Sequence, residues 1–154
     1  MPKVLIADKM SKKAEKIFSE NGLDVDVKTG LEKDELLSII GKYDGVVVRS
    51  STKITEKILK QAENLKIVGR AGIGVDNIDV DSATANGVVV MNTPFGNAIT
   101  TAEHAIALML GLMRNLPQAN ASTHDGKWEK SKYMGQEVTG KVVGIIGCGN
   151  IGSI

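Results

Sequence analysis

The chain has 154 residues, 42% of them apolar and 24% charged, proportions ordinary for a globular protein able to bury a core. Nineteen basic against eighteen acidic side chains leave a formal charge of +1, which excludes the electrostatic footprint of a nucleic-acid or anionic-membrane binder. A single cysteine, Cys148, excludes an internal disulfide framework, and the apolar run at 4–7 is too short for a signal-peptide core, so the expected location is cytoplasmic.

From the N-terminus, short apolar runs alternate with helical patterns, as in a parallel α/β sheet. Strands are predicted at 4–7, 24–27, 45–49, 66–69 and 88–91. The first crossover helix, 11–20, places Ala14, Ile17 and Phe18 on one face and stops at Asn21-Gly22. Thr29 and Glu32 are spaced as a capping box for a helix carrying Leu36, Leu37, Ile39 and Ile40, which ends at Gly41. Helices at 55–62 and 80–86 follow, the second stopped by Gly87. The predicted order is βαβαβαβαβ.

Past residue 91 the pattern changes. Residues 92–97 (NTPFGN) form a loop by their turn chemistry. Thr100 and Glu103 then make a second capping box, opening a helix that is apolar nearly all round and is therefore expected to be enclosed by protein. This stretch, 102–116, includes Glu103, His104 and Arg114 and falls short of the roughly 20 apolar residues that a membrane span needs. An irregular polar segment is expected from Pro117 to Thr139, then a final strand of Val and Ile at 142–146. A domain boundary is placed near residues 97–100.

Three constellations can carry chemistry. The strand at 142–146 runs into Gly147, Gly149 and Gly152, spaced G-x-G-x-x-G. Glycines there serve a tight turn, close approach to a pyrophosphate, and helix-on-strand packing, so a dinucleotide site is predicted; a ligand-free turn is the alternative. Because only Ser153 and Ile154 follow, the chain is expected to be the front part of a larger enzyme. The acidic residue that would grip the ribose lies outside it, so NAD and NADP are not told apart.

Arg49 and Arg70 each end a strand, and the carboxyl ends of parallel strands frame the ligand crevice. Their planar forks suit carboxylate or phosphate, although each could instead cap a helix or pair with Asp76 or Asp79. Directly after Arg70, Gly72 and Gly74 flank Ile73 in a turn whose backbone N–H groups form either an anion-binding concavity or a plain connection. His104, beside Glu103, reads as a satisfied structural histidine and His124 as solvated. Lys127, Lys130 and Lys132 surround Trp128 in a Gly-rich excursion of the kind that contacts a partner subunit.

Together, VRSSTKIT at 48–55, GRAGIGVDNID at 69–79, NTPFGN at 92–97, Thr101-Ala102-Glu103, DGKWEKSKYMGQE at 125–137 and TGKVVGIIGCGNIG at 139–152 resemble the D-2-hydroxyacid dehydrogenase family. The resemblance implies an α/β fold: a flavodoxin-like parallel-sheet substrate domain over 1–98, followed by the start of a Rossmann NAD-binding domain. Residues 99–154 would hold a linking helix, a dimerisation arm and the first strand of that second domain. It further implies that Arg49, Ser50 and Arg70 bind an anionic substrate, that Gly72, Ile73 and Gly74 meet its carboxylate, and that Asn97 lies near it. Lys130, on an arm at 119–137, would reach a partner's active site. Ile73 would approach the nicotinamide, and Gly147, Gly149, Asn150, Ile151 and Gly152 would hold the pyrophosphate. Cys148 stands where Leu or Phe is common and should be neutral.

The implied activity is oxidation of the C2 hydroxyl of 3-phospho-D-glycerate by hydride transfer to NAD, a step towards serine, in a homodimer or higher homo-oligomer. The family's catalytic arginine, glutamate and histidine would lie beyond Ile154, so the chain alone is expected to be inactive. Alternatives are a reductase for glyoxylate, hydroxypyruvate or another 2-oxoacid, a non-catalytic NAD-sensing protein, and a stand-alone anion-binding or dimerisation module. Exposed apolar surface around Ile106, Leu110 and Met113 is expected to favour self-association or disorder after Pro117.

Overall fold

A computed structural model describes the whole chain, residues 1–154. It divides into two compact units, Met1–Gly96 and Asn97–Ile154. The first holds five strands: β1 (Lys3–Ile6), β2 (Asp24–Val27), β3 (Gly45–Val48), β4 (Ile67–Arg70) and β5 (Val89–Asn92). All pair in parallel in the order β2-β1-β3-β4-β5, one of the two common doubly wound arrangements. Each of the five strands predicted before residue 92 is present within one residue of its expected ends.

The crossover helices are α1 (Lys12–Glu20), α2 (Lys33–Ile39, extended by a 3-10 turn at Ile40–Lys42), α3 (Glu56–Gln61) and α4 (Val80–Ala85). The alternation of strand side chains decides which face is filled. Leu5, Val46, Val48 and Val68 are fully buried against Leu36, Ile40, Ile58, Leu59 and Ala83 of α2, α3 and α4. The opposite face carries Val4, Val47, Ile67 and Met91, and opens onto an apolar groove of about 510 Å³. On α1, Ala14 and Phe18 are half-buried, whereas Ile17, expected on the same inward face, is exposed.

Helix ends follow local chemistry. Ser11 caps α1, its hydroxyl accepting from Lys13 N–H at 3.3 Å. After α1, Gly22 takes φ +77°, and the N–H groups of Gly22 and Leu23 return to the carbonyls of Ser19 and Phe18, a Schellman closure. Gly87 and Val88 repeat it on Thr84 and Ala83 after α4. One cap differs from expectation: the capping box predicted at Thr29 and Glu32 lies instead at Glu32 and Glu35, where Glu35 Oε2 accepts from Glu32 N–H at 2.8 Å. Gly30, at φ +76°, turns the chain after Thr29 and delays the helix.

The second unit begins with α5 (Ala98–Met113) and continues with α6 (Leu116–His124). The start of α5 does not match the predicted cap: Asn97 occupies the N-cap position and Thr100 lies inside the helix. Nor is α5 enclosed, for Ile106, Leu108, Leu110 and Leu112 are all exposed and only Ala98 is buried. Its apolar circumference signals a burial that this unit, with α6 as the neighbouring helix, does not supply. The segment after Pro117, expected to be irregular, is helical to His124, because proline in the first turn sacrifices no intrahelical hydrogen bond. A 3-10 turn, Lys130–Tyr133, follows. Gly135, at φ +62°, then lets the chain run against the α5–α6 corner, where Gln136 N–H donates to Met113 O at 2.7 Å.

Candidate functional site

In the first unit, the carboxyl edge of the sheet gathers the predicted substrate residues. The register sets Val48 beside Arg70 and Arg70 beside Asn92, so the segments after β3, β4 and β5 emerge next to one another. Arg49 and Ser50, both exposed, border a polar cleft of about 720 Å³ with Lys9, Gly30 and Glu32. The Arg49 guanidinium makes one long contact, 3.5 Å to Lys9 O, and is otherwise open to solvent.

Arg70 is placed differently. Its side chain is only 11% exposed and folds over the glycine turn. Nε donates to Arg49 O at 3.3 Å, one terminal nitrogen donates to Gly74 O, and the other lies 3.4 Å from the Asp76 carboxylate. Pairing with Asp76, the structural alternative weighed for this arginine, is therefore present. Since Asp76 is exposed, that ion pair contributes little by itself; the carbonyl contacts do more to hold the turn.

The turn 72–74 is oriented by its carbonyls. Gly72 O accepts from Thr93 N–H at 2.9 Å and faces the Thr93 hydroxyl at 3.3 Å, Ile73 O accepts from Asn92 Nδ2 at 2.6 Å, and Gly74 O accepts from Arg70. With every carbonyl engaged by protein, the Ile73 and Gly74 N–H groups donate to no protein acceptor. Such paired amides form an anion-binding concavity. A side chain at Gly74 would meet Asp76 Oδ1 at 2.9 Å and the Arg70 guanidinium at 3.1 Å, both ends of flexible side chains, and would push the brace aside.

Asp8, Thr52, Asn77, Asn92 and Thr93 also shape this edge, although none was singled out as a site residue; all but Asp8 lie within the stretches that carry the family resemblance. Asp8 accepts from Arg49 N–H at 2.6 Å, Thr52 N–H at 3.2 Å and the Thr52 hydroxyl at 2.8 Å. Burial alone would raise its carboxyl, but those hydrogen bonds outweigh it and hold the group below the usual carboxylate range. One signal was legible: Asp8 and Asn92 each stand at the carboxyl end of an apolar strand, as the two arginines do.

The remaining predicted residues lie in the second unit. The segment 142–146, expected as a strand, is exposed and unpaired, because within the chain no neighbouring strand offers it a ladder. Gly147 nevertheless turns at φ +100°, and a side chain at Gly152 would collide with the Gly147 carbonyl. Ser153 N–H bonds Gly149 O at 3.1 Å to close one helical turn, while the Gly149, Asn150 and Ile151 N–H groups donate to no protein acceptor. These residues fit a pyrophosphate. Asn97 caps α5 without a side-chain bond, and Lys130 opens the 3-10 turn, exposed. His104 is exposed on α5, not enclosed as expected, and His124 is exposed at the end of α6. Beside it, Ser122 donates to Glu129 Oε2 at 2.7 Å, which with Lys132 holds the Glu129 carboxyl below its usual range. No helix is long and apolar enough to cross a membrane.

Comparison with known proteins adds to this geometry. The sequence is 53% identical over 150 residues to a D-3-phosphoglycerate dehydrogenase of Archaeoglobus fulgidus, covering 97% of this chain and 28% of that protein. It is 47% identical over 150 residues to the human protein of the same name, with the same coverage. The fold superposes on the NAD+-bound 3-phosphoglycerate dehydrogenase of Entamoeba histolytica with a TM-score of 0.77 and 33% identity, covering 99% of this chain and 48% of that one. The chain thus spans under a third of the curated relatives it matches. Residues 4–147 match the catalytic domain of the D-isomer specific 2-hydroxyacid dehydrogenases, and the chain belongs to that family.

Proposed function

We propose that this chain supplies the substrate-holding part of an enzyme that oxidises the C2 hydroxyl of 3-phospho-D-glycerate, a step towards serine. The observation that carries the reading is the pairing of an open arginine, Arg49, with the unpartnered Ile73 and Gly74 N–H groups on neighbouring segments of one sheet edge. The turn amides hold the carboxylate next to the reacting carbon, and the guanidinium takes the phosphate end. Arg70, locked over the turn, acts mainly by keeping those amides outward. Relatives named D-3-phosphoglycerate dehydrogenase support the phosphorylated substrate. NAD, held through its pyrophosphate by the Gly147, Gly149, Asn150, Ile151 and Gly152 backbone, supplies the hydride acceptor when bound.

No proton-transfer pair is built in these residues: His104 and His124 are exposed and neither hydrogen-bonds a carboxylate. The 154-residue chain is expected to bind substrate without turning it over. Its setting is the cytoplasm, and its assembly a homodimer or higher homo-oligomer in which the exposed apolar face of α5 is covered and the Lys130 segment meets a partner copy. A second reading has one specific support. With Arg70 committed to Gly74 and Asp76, a single open arginine also suits a singly charged 2-oxoacid such as glyoxylate.

Titration of 3-phosphoglycerate and of D-lactate into the chain, followed by amide shifts, tests both. Phosphoglycerate should shift Arg49, Ile73 and Gly74 and bind at least about tenfold more tightly than lactate, with no NADH formed when NAD is added. Equal affinity would favour the 2-oxoacid reading; no shift with either ligand would remove the anion site.

A further inference from the structure

The bend from Arg49 to Thr52 is held at both ends by two buried side chains of opposite hydrogen-bonding character. Asp8, 5% exposed, accepts the N–H groups of Arg49 and Thr52 on one oxygen, at 2.6 and 3.2 Å, and the Thr52 hydroxyl on the other. Asn77, 9% exposed, donates its amide to the carbonyls of the same two residues, at 2.8 and 2.6 Å. Four backbone groups of one short bend are thereby satisfied by two side chains, one arriving from the end of β1 and the other from the segment that follows the glycine turn.

Resting on the anion-site reading, we propose that Asp8 and Asn77 are positioning residues: a clamp that sets where the Arg49 guanidinium stands and ties it to the turn 72–74. The tie has two strands. Asn77 lies shortly after Gly74 in the chain, and Arg70, which braces the turn, also donates through Nε to Arg49 O at 3.3 Å. The Arg49 carbonyl therefore receives both Asn77 and Arg70, and the two anion-binding elements are fixed to each other rather than each to the sheet alone. An exposed arginine on an unclamped bend would sample many positions, and ordering it on binding would lower affinity.

The chemistry of the clamp predicts an asymmetry between its members. In Asp8→Asn the amide oxygen can accept both backbone N–H groups while its NH2 faces the Thr52 hydroxyl, which can accept in turn. In Asn77→Asp two carbonyls would face a carboxylate, which has no proton to offer them. If Asp8 acted only by opposing the charge of Arg49, removing its charge would instead tighten anion binding.

Binding of 3-phosphoglycerate and of inorganic phosphate to the chain and its variants, read from amide shifts, decides the matter. Asp8→Ala and Asn77→Ala should each weaken binding about tenfold or more, with the β3 and β4 amides of Val46 and Val68 unmoved. Asp8→Asn should recover most of the loss, and Asn77→Asp should bind more weakly than Asn77→Ala. Should Asp8→Ala not fold, Thr52→Val removes only the hydroxyl contact and should weaken binding in the same sense, while Thr52→Ser should not. Wild-type binding that survives unchanged in the folded alanine variants overturns the clamp and leaves the anion site standing. Tighter binding by Asp8→Asn overturns it likewise. No binding by the wild type defeats the anion site itself, and the clamp with it.

Discussion

The phenol of Tyr43, 1% exposed, donates to Asp26 Oδ2 at 2.7 Å, and the two groups shift in opposite directions. Burial first, then the neighbouring carboxylate, pushes Tyr43 up; the phenol hydrogen bond, then Lys3 at 3.2 Å, pulls Asp26 down. The signs set a stability window. Asp26 and Asp8, both lowered in the fold, stabilise it above the ordinary carboxylate value of about 4, a contribution lost as pH falls through their folded values. Tyr43, raised, stabilises the fold below its ordinary value of about 10, and that contribution is lost as pH climbs towards its folded value. Urea midpoints across pH should show a plateau between these limits. Tyr43→Phe should lower the plateau by about 1 kcal/mol and flatten the alkaline arm; an unchanged alkaline arm would show that Tyr43 does not set it. Legibility at this scale depended on reach. Arg49 and Arg70 were visible because a charge at the end of an apolar strand is a local signal, and Asp8 shares it. What Asp8 and Asn77 hold was not visible, since their partners lie 41 and 44 residues away for the one, 28 and 25 for the other.

Among the elements, the ends were set by nearby residues and so were largely readable. Asn21-Gly22 and Asn86-Gly87 both close helices because glycine enters the left-handed region at little cost. Gly87→Ala should cost about 1 kcal/mol in urea denaturation, from backbone strain alone, as nothing lies near its missing Cβ. At Gly135 the same substitution adds a collision, with Met113 O at 2.6 Å and Arg114 Cα at 2.9 Å. Gly135→Ala should therefore release this corner, seen as faster tryptic cleavage at Lys130 and Lys132 than in the parent chain; equal rates would show that the corner tolerates a side chain. The misplaced cap of α2 and the unexpected helix α6 share one cause: several residues there satisfy the same local rule, and a turn at Gly30 or a proline at the first turn chooses among them.

At the scale of the whole molecule, the two units differ in what they bury. Met1–Gly96 encloses a continuous apolar core, whereas the only buried residues of Asn97–Ile154 are Ala98 and Ser122. A helix exposing Leu108, Leu110 and Leu112, the last 76% exposed, leaves an apolar patch that favours association. Sedimentation should show self-association at micromolar concentration, and the double substitution Leu108→Glu with Leu112→Glu should shift the chain towards monomer; a monomeric parent chain would contradict this. By itself the sequence determined the five strands, their helices, the strand-end arginines and the two glycine turns, because each is written in periodicity or spacing within a few residues. Only the tertiary structure decided that β1 sits between β2 and β3, that Arg70 turns inward while Arg49 stays open, and that the turn 72–74 presents its amides. Those outcomes depend on pairings between residues far apart in the chain, where register and the competition for hydrogen-bond partners settle what no local pattern records.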